Sequence, residues 1–220
     1  MPARLLDRFD AVFFDNDGIL VDTEPLFLEA TREILATVGV EVTADDYHEI
    51  SMRKGGTVFD LATEQGISDA EILQLREIRG RRYSELIRAG VRVLDGVVQT
   101  MEALQGHRPS AIVTSSARDH FDEIHAQTGL VPYFEFVLTA ADYKHHKPHP
   151  EGYLAAAAKM GVDPARSLVI EDTERGLVSA RAAGMECVVI PNALTVGANF
   201  EGALARLDSM AALPELFGLV

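Results

Sequence analysis

The sequence predicts an α/β fold: a doubly wound parallel sheet interrupted after its first strand by an all-helical insertion. Three features predict it. Five short apolar runs are continuous rather than alternating, as strands covered by helices on both faces should be. Helix-like stretches with their own start and stop residues separate most of these runs, the alternation that produces a parallel sheet. One long gap, residues 22–91, contains helical patterns and no convincing strand.

The first strand is residues 11–15 (AVFFD), with Phe9, Phe13 and Phe14 read as core. Helical patterns follow at 25–38, 57–65 and 69–88. A single crossover rarely needs so many residues, so the stretch reads as an inserted domain. The expected organisation is a core domain of residues 1–21 and 92–220 and a helical domain of residues 22–91. Back in the core, a helix over 96–105 ends at Gly106 and leads to a strand at 111–114. The helix at 116–127 opens with serines suited to N-capping and stops at Gly129. A third strand spans 134–138. The helix over 150–160 opens with proline and closes at Gly161, before a strand at 167–170. The last helix, 174–183, closes at Gly184 and precedes a strand at 186–190.

Composition narrows the class of function. The 220 residues carry 34 acidic and 20 basic side chains, a net charge of −14. That balance disfavours nucleic acid as a partner, because phosphate-backbone binding needs clustered Lys and Arg. With 47% hydrophobic and 25% charged residues the chain is ordinary globular material. The single cysteine, Cys187, can form no intramolecular disulfide and reads as a small buried apolar residue. No apolar run approaches the ~18–20 residues of a membrane span. Asp7 and Asp10 fall where a secretory signal would be apolar. The expectation is a soluble cytoplasmic protein, monomer or weak homodimer, with no nucleic-acid or membrane partner.

Four segments could carry chemistry. Phe14-Asp15-Asn16-Asp17-Gly18 places Asp15 at the carboxyl end of a strand, where open α/β sheets bind ligands. On its own an Asp-x-Asp pair is also an ordinary turn. Thr114-Ser115-Ser116 puts hydroxyls and a helix N-terminus after the second strand, suited to an anion or to simple capping. In Lys144-His145-His146-Lys147-Pro148-His149-Pro150, the proline pushes Lys147 toward extended backbone and projects its ammonium. Adjacent histidines seldom converge on one ion, so that loop reads poorly as a metal site. Glu171-Asp172 closes a strand with two carboxylates, which repel each other unless a hard cation joins them.

Taken in order, Asp15 with Asp17, Thr114, Lys147, and Glu171 with Asp172 resemble the four motifs of the haloacid dehalogenase superfamily of phosphohydrolases. The resemblance covers nearly the whole chain. The insertion after the first motif and the Asp22-Thr23-Glu24-Pro25 continuation are similar to the branch containing β-phosphoglucomutase and small sugar-phosphate phosphatases. Asn16 occupies a variable position, and Ile19 stands where threonine is commoner. The resemblance implies a Rossmann-like core, a helical cap, and Mg²⁺-dependent hydrolysis of a small phosphorylated metabolite, a sugar or sugar-acid phosphate by default.

In that scheme Asp15 is the nucleophile that forms an aspartyl-phosphate, ionised at neutral pH without a partner base. Asp17 protonates the leaving alkoxide and then deprotonates water. The Thr114 hydroxyl and the Ser115 N–H hold phosphoryl oxygens, and Lys147 adds positive charge. Mg²⁺ is held by the Asp15 carboxylate, the Asp17 backbone carbonyl and Asp172, with Glu171 a ligand or just behind one. Arg53 and Lys54, beside a glycine pair, are the candidate substrate contacts of the cap, or else a solvated loop. Arg79, Arg81 and Arg82 read as an exposed helix face, and His107, His120 and His125 as structural or exposed.

Several alternatives compete. A dehalogenase or a phosphonate hydrolase using Lys54 as a Schiff base would lack the second acid, Asp17. A mutase resembling β-phosphoglucomutase is the runner-up, although the place where its cap typically carries a histidine here holds Phe27. A phospho-accepting signalling domain would have its acceptor on a later strand and no large cap. A non-catalytic interaction protein would be expected to lack one of the key side chains, and none is missing.

Overall fold

In the computed structural model, which describes residues 4–220, the apolar runs become one parallel sheet. Its strands are β1 (Ala11–Phe14), β2 (Ser110–Val113), β3 (Phe136–Leu138), β4 (Ser167–Glu171), β5 (Glu186–Val189) and β6 (Ala205–Arg206). They lie in the order β3-β2-β1-β4-β5-β6, with β1 between β2 and β4. The doubly wound α/β class expected from the sequence is therefore the observed one. Strand β6 had no counterpart in the reading of the sequence. It is two residues long, sits at the sheet edge and ends on an exposed arginine, so it carries no apolar run.

The alternation of side chains explains why the strands read as continuously apolar. Val12, Phe14, Ile112, Leu168, Ile170 and Val188 belong to one core cluster. Ala11, Phe13, Ala111, Val113, Val169, Cys187 and Val189 belong to a second cluster across the sheet. Successive residues point to opposite faces, and both faces are covered. Helices α5 (Val97–Leu104), α6 (Arg118–His125) and α9 (Leu213–Phe217) contribute to the first cluster. Helices α7 (Glu151–Met160) and α8 (Glu174–Ala182) contribute to the second.

Between β1 and α5 the described chain is helical. It contains α1 (Glu24–Ala36), α2 (Ala44–Tyr47), a π-helical turn at His48–Arg53, α3 (Asp60–Glu64) and α4 (Asp69–Ala89). Helix α2 was missed in the sequence and has a local cause. Thr43 Oγ1 accepts from Asp46 N at 3.0 Å while Asp46 Oδ2 accepts from Thr43 N at 2.9 Å, a reciprocal cap. Ser68 and Glu71 cap α4 in the same way. These helices enclose a third core cluster that includes Leu28, Leu35, Tyr47, Phe59, Ile72 and Leu75.

Two strands of backbone join this helical segment to the sheet, and they hydrogen-bond to each other. Asp22 N donates to Arg92 O at 2.9 Å, and Leu94 N donates to Leu20 O at 3.0 Å. Arg92 also pairs with Asp22 at 2.8 Å. Farther along, Tyr83 and Ile87 of α4 join the cluster on the sheet, so the last turns of α4 tie the helical segment to the core. Among the described residues no helix is long and apolar enough to cross a membrane.

Ile87 is fully buried at this junction. Ile87→Ala is expected to lower the unfolding free energy by about 2–5 kcal/mol, the range for such cavity-forming changes. Urea denaturation checks it; a loss below about 1 kcal/mol would show that α4 does not depend on this contact.

Candidate active site

The register of the central strands decides which side chains meet. Phe14 of β1 lies opposite Ile112 of β2 and Ile170 of β4, so the three strands end together. Asp15, Thr114 and Glu171 consequently emerge on one edge of the sheet, its carboxyl edge. Asp15 N still donates to Ile170 O at 2.9 Å, which keeps the residue in line with the sheet. The chain then turns at Gly18, whose φ is +82°. A Cβ there would fall 2.2 Å from Asp172 Oδ2, so this turn needs glycine on two counts.

Lys147 reaches this edge from the loop after β3, and its ammonium has three partners. It donates to Asp15 Oδ1 at 2.7 Å, Glu171 Oε1 at 2.8 Å and Val113 O at 2.9 Å. Glu171 is saturated in turn. Its Oε1 also accepts from Tyr153 OH at 3.0 Å, and its Oε2 accepts from Asp172 N, Thr173 N and Thr173 Oγ1 at 2.9–3.1 Å. Burial alone would raise the Glu171 pKa, but the Lys147 charge and these hydrogen bonds hold it below its usual value. Helix α8 makes room for this carboxylate with Gly176, where a Cβ would lie 1.9 Å from Glu171 Cδ.

Asp172 is less well served. Its Oδ2 accepts from Asn192 Nδ2 at 2.7 Å, while the buried Oδ1 has no partner among the described residues. Burial, then the charges of Glu171 and Asp15, push its carboxyl well above the usual range. Burial also moves Asp15 up, to about 7; Lys147 opposes the shift, and Glu171 and Asp17 add to it. Oxygens of Asp15, Glu171 and Asp172 lie within 4.8 Å of one another, and among the described residues Lys147 is the one cation bonded to them. An orphaned oxygen in an all-carboxylate cluster with unmatched negative charge fits a hard divalent cation. Asp15 and Asp172 are the residues with donor capacity for it, because the oxygens of Glu171 are engaged.

The Asp17 carboxylate faces a set of hydroxyls. Its Oδ1 accepts from Thr23 Oγ1 at 2.5 Å, and its Oδ2 accepts from Thr114 Oγ1 at 3.0 Å and Ser116 Oγ at 2.7 Å. The Thr114 hydroxyl, expected to hold a phosphoryl oxygen, thus bonds Asp17. Ser116 was read only as a helix cap; its place two residues beyond Thr114 was the available signal. Ser115 lines the same cavity as Asp15, Asp17 and Lys147, a space of about 620 Å³ between the sheet edge and the helical segment.

Arg53 and Lys54, expected as substrate contacts of the cap, lie outside the cavity wall of this structure. Both are exposed, and both pair with Glu49, Arg53 at 2.9 Å and Lys54 at 3.0 Å. Neither contributes to the cavity wall, whereas Gly55 and Gly56 do. The π-helical turn sets both cations beside Glu49, and Arg53 Nε also lies 3.6 Å from Glu174 at the start of α8, so Arg53 bridges the helical segment and the sheet domain. The cations that do line the helical side of the cavity are Arg76 and Arg79 of α4, joined by Arg175 from α8. The Arg79 guanidinium stacks 4.1 Å above the Phe27 ring. The sequence held a signal for this: Arg79, Tyr83 and Ile87 recur every four residues, so Arg79 shares the inward face. Arg81 is exposed, and Arg82 pairs with Glu33 at 2.6 Å. His125 is buried, bonded to Asn16 Oδ1 at 2.7 Å, and burial lowers its pKa to about 4. His120 packs edge-on against Tyr83 at the cavity, and His107 is exposed.

The chain matches the sequence model of the haloacid dehalogenase-like hydrolases over residues 12–190. It belongs to that family. Fructose-1-phosphate phosphatase YqaB of Escherichia coli K12 is 33% identical over 190 residues, 84% of this chain and 97% of that protein. A phosphorylated carbohydrates phosphatase of Thermotoga maritima is 33% identical over 184 residues, 80% and 82% of the two chains. Among solved structures, CbbY of Rhodobacter sphaeroides in complex with phosphate superposes with a TM-score of 0.80 at 22% identity, covering 96% and 99%. β-Phosphoglucomutase of Clostridium difficile gives 0.79 at 21%, covering 96% and 97%. These two structures share the fold. The protein is a hydrolase with the Rossmann-like core of its family.

Glu24 was also overlooked as part of this site. It lines the cavity, accepts from Tyr47 OH at 2.7 Å, and is raised from 4.5 to about 7 by burial and then by Asp17. A carboxyl whose folded pKa is raised binds a proton that the unfolded chain has released, so stability is lost as pH climbs from about 4.5 to 7. Glu24→Gln is therefore expected to flatten the fall in unfolding free energy between pH 5 and pH 8. Urea titrations of both proteins at constant ionic strength read the difference, and parallel curves would exclude a buried, protonated Glu24.

Proposed function

We propose that this hydrolase is a Mg²⁺-dependent phosphatase for a small sugar or sugar-acid monophosphate, working through an aspartyl-phosphate on Asp15. The observation that carries the proposal is the Lys147 ammonium 2.7 Å from Asp15, beside a buried acidic cluster that opens into the cavity. Lys147 occupies Asp15 Oδ1 and fixes the carboxylate, leaving Oδ2 to attack phosphorus in line with the departing oxygen. Asp17 then protonates that oxygen and next takes a proton from the water that cleaves the acyl-phosphate. Thr23, Thr114 and Ser116 suit this alternation, because a hydroxyl donates to a carboxylate and can turn to accept from a carboxylic acid. Thr114 is accordingly assigned to orienting Asp17, and Ser115 to contacting the phosphoryl group.

Asp15, Asp172 and the Asp17 backbone carbonyl would hold Mg²⁺, with Glu171 behind them fixing Lys147. When bound, the ion supplies charge that offsets the repulsion between an anionic nucleophile and an anionic phosphate. Residues 22–91 serve as the cap that excludes water and selects the leaving group. Within it, Arg79 is suited to anionic or hydroxyl groups of the substrate and Glu24 to hydroxyls. The names of the two relatives, one a fructose-1-phosphate phosphatase and the other a phosphatase of phosphorylated carbohydrates, support a carbohydrate ester. Phe27, covered by Arg79, has no proton to transfer, which supports hydrolysis over a mutase reaction.

A phosphate-release panel with Mg²⁺, covering hexose, pentose, polyol, sugar-acid and nucleotide monophosphates, tests the reading. Release is expected from a carbohydrate ester. Asp15→Asn should abolish it, and Asp17→Asn should lower kcat by about 10²–10⁴. Unimpaired Asp15→Asn, or isomerised sugar phosphate without free phosphate, would refute the proposal. Separately, Arg79→Ala should reduce kcat/KM for the preferred ester more than for a small aryl phosphate. Equal losses on both would deny Arg79 a part in selection.

A further inference from the structure

The loop that carries Lys147 has a second, outward set of donors. His145 and His149 stand two residues to either side of Lys147, and Glu151 opens α7 just beyond. One ligand atom from each of the three lies within 4.8 Å of the others. His145 Nδ1 is 2.6 Å from Glu151 Oε2, and His149 Nδ1 is 3.9 Å from the same oxygen. The two imidazoles lie with centroids 4.7 Å apart and planes inclined by 41°. A tetrahedral ion with bonds of ~2.0–2.1 Å to nitrogen and oxygen needs donors about 3.3 Å apart, which these separations bracket.

The adjacent pair His145-His146 offers no chelate, but the fold makes a different pairing. His146 lines the cavity, whereas the turn from His146 to His149, closed by a 3.0 Å backbone bond, brings His149 beside His145. Both rings are about half exposed, so an ion has access. The framework around them is held: Glu151 accepts from Lys144 N and His145 N at 3.0 Å each, and Ser179 Oγ donates to His149 O at 2.8 Å. A carboxylate has about four lone-pair sites, so Glu151 retains capacity for a metal. An ion would replace two bonds: the His145 Nδ1 to Glu151 Oε2 hydrogen bond at 2.6 Å, whose proton it displaces, and the 3.2 Å bond in which His149 Nδ1 accepts from Glu151 N.

We propose that His145, His149 and Glu151 form a binding site for a divalent transition ion of the Zn²⁺ class, clamping the outer side of the loop that presents Lys147. Two imidazoles and one carboxylate favour such an ion over Mg²⁺, while the buried cluster of Asp15, Glu171 and Asp172 is all oxygen and shares no residue with this site. The proposal does not depend on the identity of the phosphate ester.

The test is Zn²⁺ titration of the full chain labelled with ¹⁵N-histidine, in saturating Mg²⁺, with imidazole shifts and affinity as readouts. One equivalent of Zn²⁺ should move the resonances of His145 and His149. His149→Ala and Glu151→Gln should each weaken binding by about tenfold or more, while Asp172→Asn leaves it intact. Stationary imidazole resonances would overturn the proposal. So would an affinity that ignores His149→Ala and disappears in Asp172→Asn, since the ion would then occupy the acidic cluster.

Discussion

A buried ammonium organises the carboxyl edge of the sheet in this protein. Lys147 bonds Asp15 and Glu171 at once, and removing it would leave carboxylates facing each other in a site with little water to screen them. The surrounding structure is arranged around that contact. Strand β4 ends on Glu171, Tyr153 and Thr173 complete its hydrogen bonds, and Gly176 vacates the space its carboxylate occupies. Gly18 does the same for Asp172. The constraint on both positions is steric: each glycine is a place where a side chain would displace a carboxylate from the cluster.

The cluster is also incomplete. Among the described residues one ammonium is bonded to these carboxylates and one buried Asp172 oxygen is unmatched, and the pKa values of Asp15 and Asp172 are raised. Structural ion pairs normally satisfy all their members. A fold that holds an unsatisfied acid at the carboxyl edge of a parallel sheet stores an electrostatic demand for a cation there, and the cavity opens beside the same point. The helical segment closes that cavity with the inward face of α4, whose Tyr83 also packs into the core cluster of the sheet, so the wall facing the acidic cluster is anchored to the sheet domain.

The sheet was legible because its strands are buried on both faces, which leaves an unambiguous apolar run for each; only β6, at the edge, lacked one. The meeting of Asp15, Lys147, Glu171 and Asp172 was legible for a related reason. Residues just past parallel strands of similar length share an edge, whatever their separation in sequence. What lies on the helical side was harder to read. Arg53 and Lys54 looked like a binding pair by composition; in the fold they pair with Glu49, and Arg53 also with Glu174, outside the cavity wall. Arg79 was obscured by its neighbours Arg81 and Arg82, although its four-residue spacing from Tyr83 marked the buried face. Ser116 and Thr114 were assigned to capping and to phosphate because hydroxyls are ambiguous donors; only the turn after β1 brings Asp17 within their reach.

The most direct measurement is to locate the covalent phosphate. A single turnover of Asp17→Asn with ³²P-labelled sugar phosphate, quenched in acid and digested, should place a hydroxylamine-labile label on the peptide containing Asp15. Label on a histidine, or burst release of product with no labelled protein, would contradict the assignment of Asp15 as the group that accepts the phosphoryl.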